Sequence, residues 1–594
     1  MRPSFLRFLA GVFLILLPAL ASAGPDDLTP AELARWEAAA GGHHSFHDLG
    51  SGFYVDLIMR DVKDARMAFF NYRLAERLGL KVPKDPKVLE ALMKSLFAVE
   101  IDPTGTGGRK MMATRYQDSS SKKPGSALGD GRAVWSGELG IEVGDGHRLS
   151  VDFVIKGVGQ TPLAWTNNDA AHSDGRVKLR ELVRSAITSR ANDLNELDST
   201  DDLVGFVVKS ADGKEARAIT VRAGNQTRIA HFRYFSDQPA GFRKLFNYVV
   251  ARDLGLAPGA EVGATEVRRY FEFFIENIAE EAARYDDLEA IHGSPTAGNR
   301  TTKGSTIDLM EFWYHDANHQ NFSYLFDKVR REEQISMLRD YARYILGYMR
   351  SARYPIPTGL SDDWIRKRFD RVFEDSAALL ALHRLGLGEA EIAALPDAVR
   401  KRFYRAVQDL RTAIGTENRR IFWQDIKPAA FDLRSVFSST FAQHDAPDRE
   451  KTIFANTRGW ATPSAKEHDP LKTAYLAATD EIVSLLSTDK KPKAEWIAQA
   501  KKANSTLRME PGTGMPATVD DPFFRAHEER ILKALESGEF DFQEIDAWID
   551  RAAQDVVDHG LPHRGVTNLG FSPGFPRFHV GDLAKQCAAL FTRF

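Results

Sequence analysis

Cysteine is almost absent from this chain: Cys587 stands alone among 594 residues. An intramolecular disulfide is therefore excluded, and a buried, inert thiol is the expectation for Cys587. An excess of charge of one sign is also lacking. Lys and Arg number 79 against 82 Asp and Glu, a formal net charge of −3, which argues against a dominant nucleic-acid surface. Beyond the amino terminus no run is long and apolar enough to cross a bilayer, and there is neither an internal repeat nor a low-complexity tail. What remains is ordinary for a soluble globular protein, 43% hydrophobic and 27% charged, and long enough to require two or more domains or subdomains.

The amino terminus has its own logic. Arg2 and Arg7 precede the apolar run Phe8 to Leu20, and Ala21-Ser22-Ala23 places small residues where a signal peptidase cuts. Residues 1–23 are thus expected to be a signal peptide, giving an exported, periplasmic or secreted protein. An uncleaved segment would be its one membrane contact.

Texture divides the remainder. Residues 24–111 read as a helical extension, with helices over Pro30 to Ala40, Asp56 to Leu80 and Pro86 to Phe97. From 112 to 238, short apolar runs alternate with Gly, Asp, Asn and Ser clusters, as strands and turns do. Val177 to Leu197 is helical in period within that region. From 239 to 415 the pattern is helical (Ala240–Leu254, Ala264–Tyr285, Asn321–Arg350, Ser361–Gly386, Glu389–Ile414), and 416–594 is helical with loops.

One stretch carries chemistry on its face. The run Val151 to Ile155 reads as a strand, and Lys156-Gly157-Val158-Gly159-Gln160-Thr161-Pro162 follows at once. A fixed positive charge beside glycines lets backbone and ammonium approach a phosphate together. Further motifs follow in order: Tyr116, Leu128-Gly129-Asp130-Gly131-Arg132, Asp174-Gly175-Arg176 with Leu179-Arg180 and Arg184, then Arg222 and Arg228. His292-Gly293, Asn299 and Gly304-Ser305-Thr306-Ile307-Asp308 complete the series.

Together these motifs, over roughly residues 50 to 330, resemble the selenoprotein O (SelO) family, protein adenylyltransferases built on a pseudokinase fold. The resemblance implies an α+β, protein-kinase-like fold of two lobes, a β-rich N-lobe and a helical C-lobe, with an extra C-terminal helical region. It implies ATP bound with Mg²⁺ or Mn²⁺, and AMP transferred to hydroxyl side chains of protein substrates. Lys156, Arg222 and Arg228 would face phosphates, since guanidinium forks engage two oxygens at once. Gly157 and Gly159 would approach the nucleotide through backbone, as would the turn containing Asp130 and Gly131. Asn299 and Asp308 would supply oxygen ligands to the metal, and His292 would order their loop.

The chain also departs from the family. The residue before the metal-binding asparagine, the family's proposed base, is Gly298, and the kinase aspartate position is Ser294. No catalytic base is therefore assigned. The family's helix glutamate, partner of the strand lysine, maps to Ser185; Glu181, one turn earlier on the same face, is the candidate replacement, and Glu311 is a second carboxylate to inspect. Gln117-Asp118-Ser119-Ser120-Ser121-Lys122 replaces the family's glycine-rich lip. Two further readings stay open: a catalytically dead nucleotide-binding module with a regulatory role, and a small-molecule phosphotransferase. Oligomeric state is not legible.

Overall fold

The computed structural model describes residues 28–41, 43–117, 128–143, 147–164, 174–208, 216–257, 259–288, 290–292, 295–309, 312–314, 322–413, 419–421, 424–426, 431–455, 466–505, 521–537 and 541–559. The proposed signal segment, Ser294, Glu311 and Cys587 lie outside them, as do Asp118 to Lys122, His172 and Ser173. Among the described residues, no helix is long and apolar enough to cross a membrane.

The fold is mixed α/β, centred on an antiparallel sheet of nine strands. In chain order these are β1 (Tyr54–Asp61), β2 (Arg66–Phe70), β3 (Val99–Ile101), β4 (Arg109–Thr114), β5 (Ala133–Val143), β6 (His147–Lys156), β7 (Val177–Lys178), β8 (Asp201–Val208) and β9 (Arg217–Gly224). Their spatial order is β2-β8-β9-β6-β5-β4-β1-β3, with β7 beside β9. Alternation along the strands sorts side chains into two cores. Phe153 and Ile155 of β6 enter one core, which also takes Trp36 from helix α1 (Pro30–Gly41). Val154, from the same strand, enters the other, with the helices that follow.

Four strands come from the region expected to be a helical extension. Asp56 to Leu80 is not one helix but β1, β2 and the short helix α2 (Tyr72–Arg77). The reason is tertiary. Leu57 and Met59 alternate into the core, and β1 pairs with both β4 and β3, so pairing overrides local helix preference. The helix α3 (Pro86–Phe97) is as expected, started by Asp85 accepting from the Lys87 amide and by Pro86 in the first turn.

Helix α4 (Leu179–Leu194) crosses the sheet face opposite α1. After β9 come α5 (Ile229–Phe235), α6 (Pro239–Asp253), α7 (Ala264–Leu288), α8 (Phe322–Ser351) and α9 (Asp362–Arg384). The helix expected over Glu389 to Ile414 is two, α10 (Glu389–Ala394) and α11 (Asp397–Thr412), because Pro396 has no N–H to continue the ladder. Four described helices follow, α12 (Leu433–Thr440), α13 (Arg449–Ile453), α14 (Asp469–Leu486) and α15 (Ala494–Ser505); all four help build a third core around Phe403, Tyr475 and Trp496. The last two described helices, α16 (Asp521–Ser537) and α17 (Phe542–His559), return to the sheet and pack on α4.

Candidate functional site

Lys156 ends β6, opposite Thr220 of β9. The chain then turns through Gly157, at φ +92, where a Cβ would lie 2.4 Å from the Ala218 carbonyl oxygen; only glycine fits there. Gly159, at φ +107, donates its N–H to the Gly175 carbonyl at 3.1 Å. The Lys-Gly-x-Gly and Asp-Gly-Arg motifs are thereby joined back to back. The Lys156 side chain is 9% exposed and points between two carboxylates. Its Nζ donates to Asp308 Oδ1 at 2.8 Å and lies 3.2 Å from Glu181 Oε1.

Glu181 sits in the first turn of α4, where the helix dipole favours a carboxylate. It accepts from Arg132 Nη1 at 3.1 Å and Nη2 at 2.7 Å. Glu181, one turn before Ser185, thus contacts both Lys156 and Arg132. Ser185 Oγ instead accepts from Arg222 Nη2 at 3.2 Å. Arg222, on β9, also lies 3.4 Å from Asp202 on β8 and 3.9 Å from Asp308.

This is a dense charge cluster in little water, so its members set one another's ionisation. Burial would raise the Asp308 pKa, but Lys156, Arg222 and Arg132 outweigh it and hold that carboxyl well below the usual range. Burial likewise opposes ionisation of Glu181, and Lys156 with Arg132 overcomes it. The Lys156 ammonium is pushed down by burial and by Arg132, against the support of Asp308. The cluster is therefore a balanced set of charges that an added anion and cation could divide between them.

Asp308 adopts φ +65, a left-handed conformation uncommon for a residue with a side chain. Its loop is braced from several sides. His292 Nε2 lies 3.0 Å from both the Ile307 and Asp308 carbonyl oxygens. The Ile307 amide donates to the Asn299 carbonyl at 3.0 Å, which sets Asn299 beside the strand-like stretch leading to Asp308. Arg300 is buried and donates to Glu281 of α7 and to the Gly304 carbonyl, each at 2.7 Å. Thr306 donates to the same Glu281 at 3.0 Å.

The donor set suits a hard divalent cation. Asp308 is ionised and 35% exposed at its side chain. Its Oδ1 accepts from Lys156, and a carboxylate has a second oxygen to offer a cation. The Asn299 amide would supply a second. Lys156 is the internal cation that a metal at Asp308 would displace.

Arg228 belongs to a neighbouring cluster. It caps α5 and donates through Nη1 to the Gly298 carbonyl at 2.5 Å. It also lies 3.7 Å from Asp130 and over the Tyr116 ring. Asp130 is buried, and its Oδ2 accepts from the Thr114 amide and hydroxyl and from Trp135 Nε1. That carboxylate holds the Gly129–Gly131 turn in place and meets the cluster through Arg228. A Cβ on Gly131 would sit 3.0 Å from Ala164 Cα, so this glycine serves the packing of two turns.

Sequence reasoning had not assigned roles to Arg132 or Asp202. Arg132 was legible as the last residue of Leu-Gly-Asp-Gly-Arg. Asp202 needed the β8–β9 register, which sets it opposite Arg222. A separate group, His44, Glu138 and Asp152, has the spacing of metal ligands. It is already neutralised. The Arg252 guanidinium engages both oxygens of Asp152, and His44 Nδ1 accepts from the Phe46 amide, which directs the ring proton on Nε2 at Asp152.

Residues 42–332 match the family model described as Protein adenylyltransferase SelO. Through this region, the chain is similar to the SelO family. SelO relatives include the protein nucleotidyltransferase YdiU of Yersinia pestis (strain Pestoides F), 28% identical over 293 residues, 48% of this chain and 55% of that protein. The YdiU of Ruegeria pomeroyi is 28% identical over 287 residues, 47% of this chain and 56% of its own. That of Thiobacillus denitrificans is 24% identical over 351 residues, 56% and 69%. The chain spans about half the length of most of the curated SelO relatives it matches. Lys156, Glu181, Arg222, Asn299 and Asp308 all fall inside the matched region, whereas α16 and α17 lie beyond it.

Proposed function

We propose that this protein binds ATP with Mg²⁺ or Mn²⁺ and transfers its AMP group to a protein hydroxyl. In this reading the sheet is one lobe of a kinase-like fold, the helices from α6 onward form the other, and the cluster lies between. The observation that carries it is Lys156, buried between Glu181 and Asp308 with Arg132 and Arg222 beside it. Phosphoryl chemistry of this class asks mainly for positioned positive charge on the phosphates.

Each residue then has a task. Lys156 exchanges Asp308 for phosphate oxygen, while Glu181 keeps the ammonium on station. Arg222 adds a guanidinium fork, and the turn at Gly157 and Gly159 brings backbone close to the nucleotide. Asn299 and Asp308 would hold the metal, which when bound supplies charge neutralisation at the phosphates. The acceptor oxygen forms a bond to the α-phosphorus as the bond to the pyrophosphate oxygen breaks. In the position before Asn299, Gly298 offers no carboxylate to take the acceptor's proton.

That last feature favours a second reading, a nucleotide-binding regulatory module without transferase activity. Incubation with α-labelled ATP, Mg²⁺ or Mn²⁺ and candidate proteins separates the two. The transferase reading expects a labelled protein, and loss of label with Asp308→Ala. No label above that of Asp308→Ala, alongside retained ATP binding, selects the binding module. An exported location is proposed with it, and in that compartment the nucleotide would have to come from a host cell or another source.

A further inference from the structure

Helix α4 is buried on every side. Each residue from Leu182 to Asn192 is buried, including Arg184, Ser185, Thr188, Ser189, Arg190 and Asn192. A helix that packs by one face shows its polar stripe to water. Here the outer stripe is covered by α16 and α17, which lie beyond the family-matched region.

The cover is fastened by charge. Arg190, 3% exposed at its side chain, donates to Asp550 at 2.6 Å and also to Asp546. Asp546 in turn accepts from the Tyr72 amide at 3.3 Å, tying the same carboxylate to the start of α2. Nearer the other end, Arg180 Nε donates to Glu528 of α16 at 3.2 Å. Trp548, Ile549, Ala552 and Ala553 of α17 share a core with Val183 and Ile187 of α4. A buried guanidinium stripped of its carboxylates is costly, so partial detachment of α17 is disfavoured.

Glu181 and Arg190 lie nine residues apart on one rigid helix, about 13 Å along its axis. An axial slip or tilt of α4 set by its outer contacts is carried directly to Glu181. The contact at stake is narrow, since Glu181 reaches Lys156 at 3.2 Å. A displacement of one ångström breaks it.

We propose that α16 and α17 act as a strap on α4, and that Arg190 and Asp546 are positioning residues that keep Glu181 beside Lys156. The proposal rests on the nucleotide-site reading for its functional consequence, but its structural claim stands apart from it. Detaching the strap lets α4 move, frees Lys156 from one carboxylate and loosens the phosphate site.

Arg190→Gln and Arg190→Lys in the full chain test it with two readouts. The first is the rate at which acetic anhydride, in trace competitive labelling, modifies Lys156. The second is affinity for Mg²⁺·ATP. With Arg190→Gln, Lys156 labels several-fold faster and ATP binds about tenfold more weakly, whereas Arg190→Lys stays within about threefold of the parent in both. Arg402→Ala, which removes the exposed pair with Glu481, changes neither. A labelling rate unchanged in Arg190→Gln, while hydrogen exchange shows α17 released, overturns the strap. So does unchanged ATP affinity in a parent that binds ATP. If the parent binds no ATP, the functional reading falls and the Lys156 labelling rate alone decides the strap.

Discussion

Replacing Glu181 by glutamine strikes the one carboxylate among the described residues that contacts both Lys156 and Arg132. The side chain keeps its shape but loses its charge, and its amide N–H can face the Lys156 ammonium. Removing one partner of a buried ion pair costs about 3–5 kcal/mol. Glu181 is 14% exposed, and Asp308 still holds Lys156 at 2.8 Å, so the cost falls below that range, about 2–3 kcal/mol. That corresponds to roughly 30- to 150-fold in an opening equilibrium. The Gly157 amide reports it, because it donates to the Arg132 carbonyl at 2.9 Å within this turn. Native-state hydrogen exchange should show its protection falling by that factor, with amides of α11 and α14 unaffected. Adding Ser185→Glu should not restore the protection, since residue 185 faces Arg222. Unchanged protection at Gly157 in Glu181→Gln refutes the view that this carboxylate holds the site together.

Three further outcomes follow from the same geometry. Gly157→Ala should destabilise the protein by about 1–3 kcal/mol, through positive φ and the 2.4 Å approach to the Ala218 carbonyl, read from chemical denaturation. Glu281→Gln strands the buried Arg300 and should cost about 3 kcal/mol or more; metal affinity measured by titration with Mn²⁺ should fall with it, because that pair braces the Asn299–Asp308 loop. His292 is pushed down to about 4 from 6.5 by burial first and Arg300 second, against Asp308. A base with a depressed folded pKa is favoured neutral, so its contribution is full above pH 6.5 and is lost as the pH falls towards 4. The loss is roughly 3 kcal/mol, and a stability–pH profile of His292→Gln should lack that component.

Much of this arrangement was legible in the sequence, and the parts that were not share a cause. Lys156, Arg222 and Asp308 could be named because each sits in a local motif whose chemistry is explicit. Glu181 was foreseeable from helical spacing, as it stands one turn before Ser185. Its partner Arg132 was visible in a motif but joins the site only through the β5–β6 pairing that sets Ala133 opposite Lys156. Asp202 is anonymous until β8 is registered against β9. The same limit explains the misplaced helix over Asp56 to Leu80: its residues suit either state locally, and β3 and β4 decide the matter from 38 to 60 positions away. The cover of α4 by α17 is more distant still, with Arg190 and Asp546 separated by 356 positions.

Titration of Mg²⁺·ATP into the full chain, beside Lys156→Ala and Asp308→Asn, tests the central claim most directly. Saturable binding by the parent, weakened at least tenfold by Lys156→Ala and made independent of Mg²⁺ by Asp308→Asn, is the predicted result. Binding that is absent in the parent, or equal in all three proteins, contradicts a nucleotide site at this cluster.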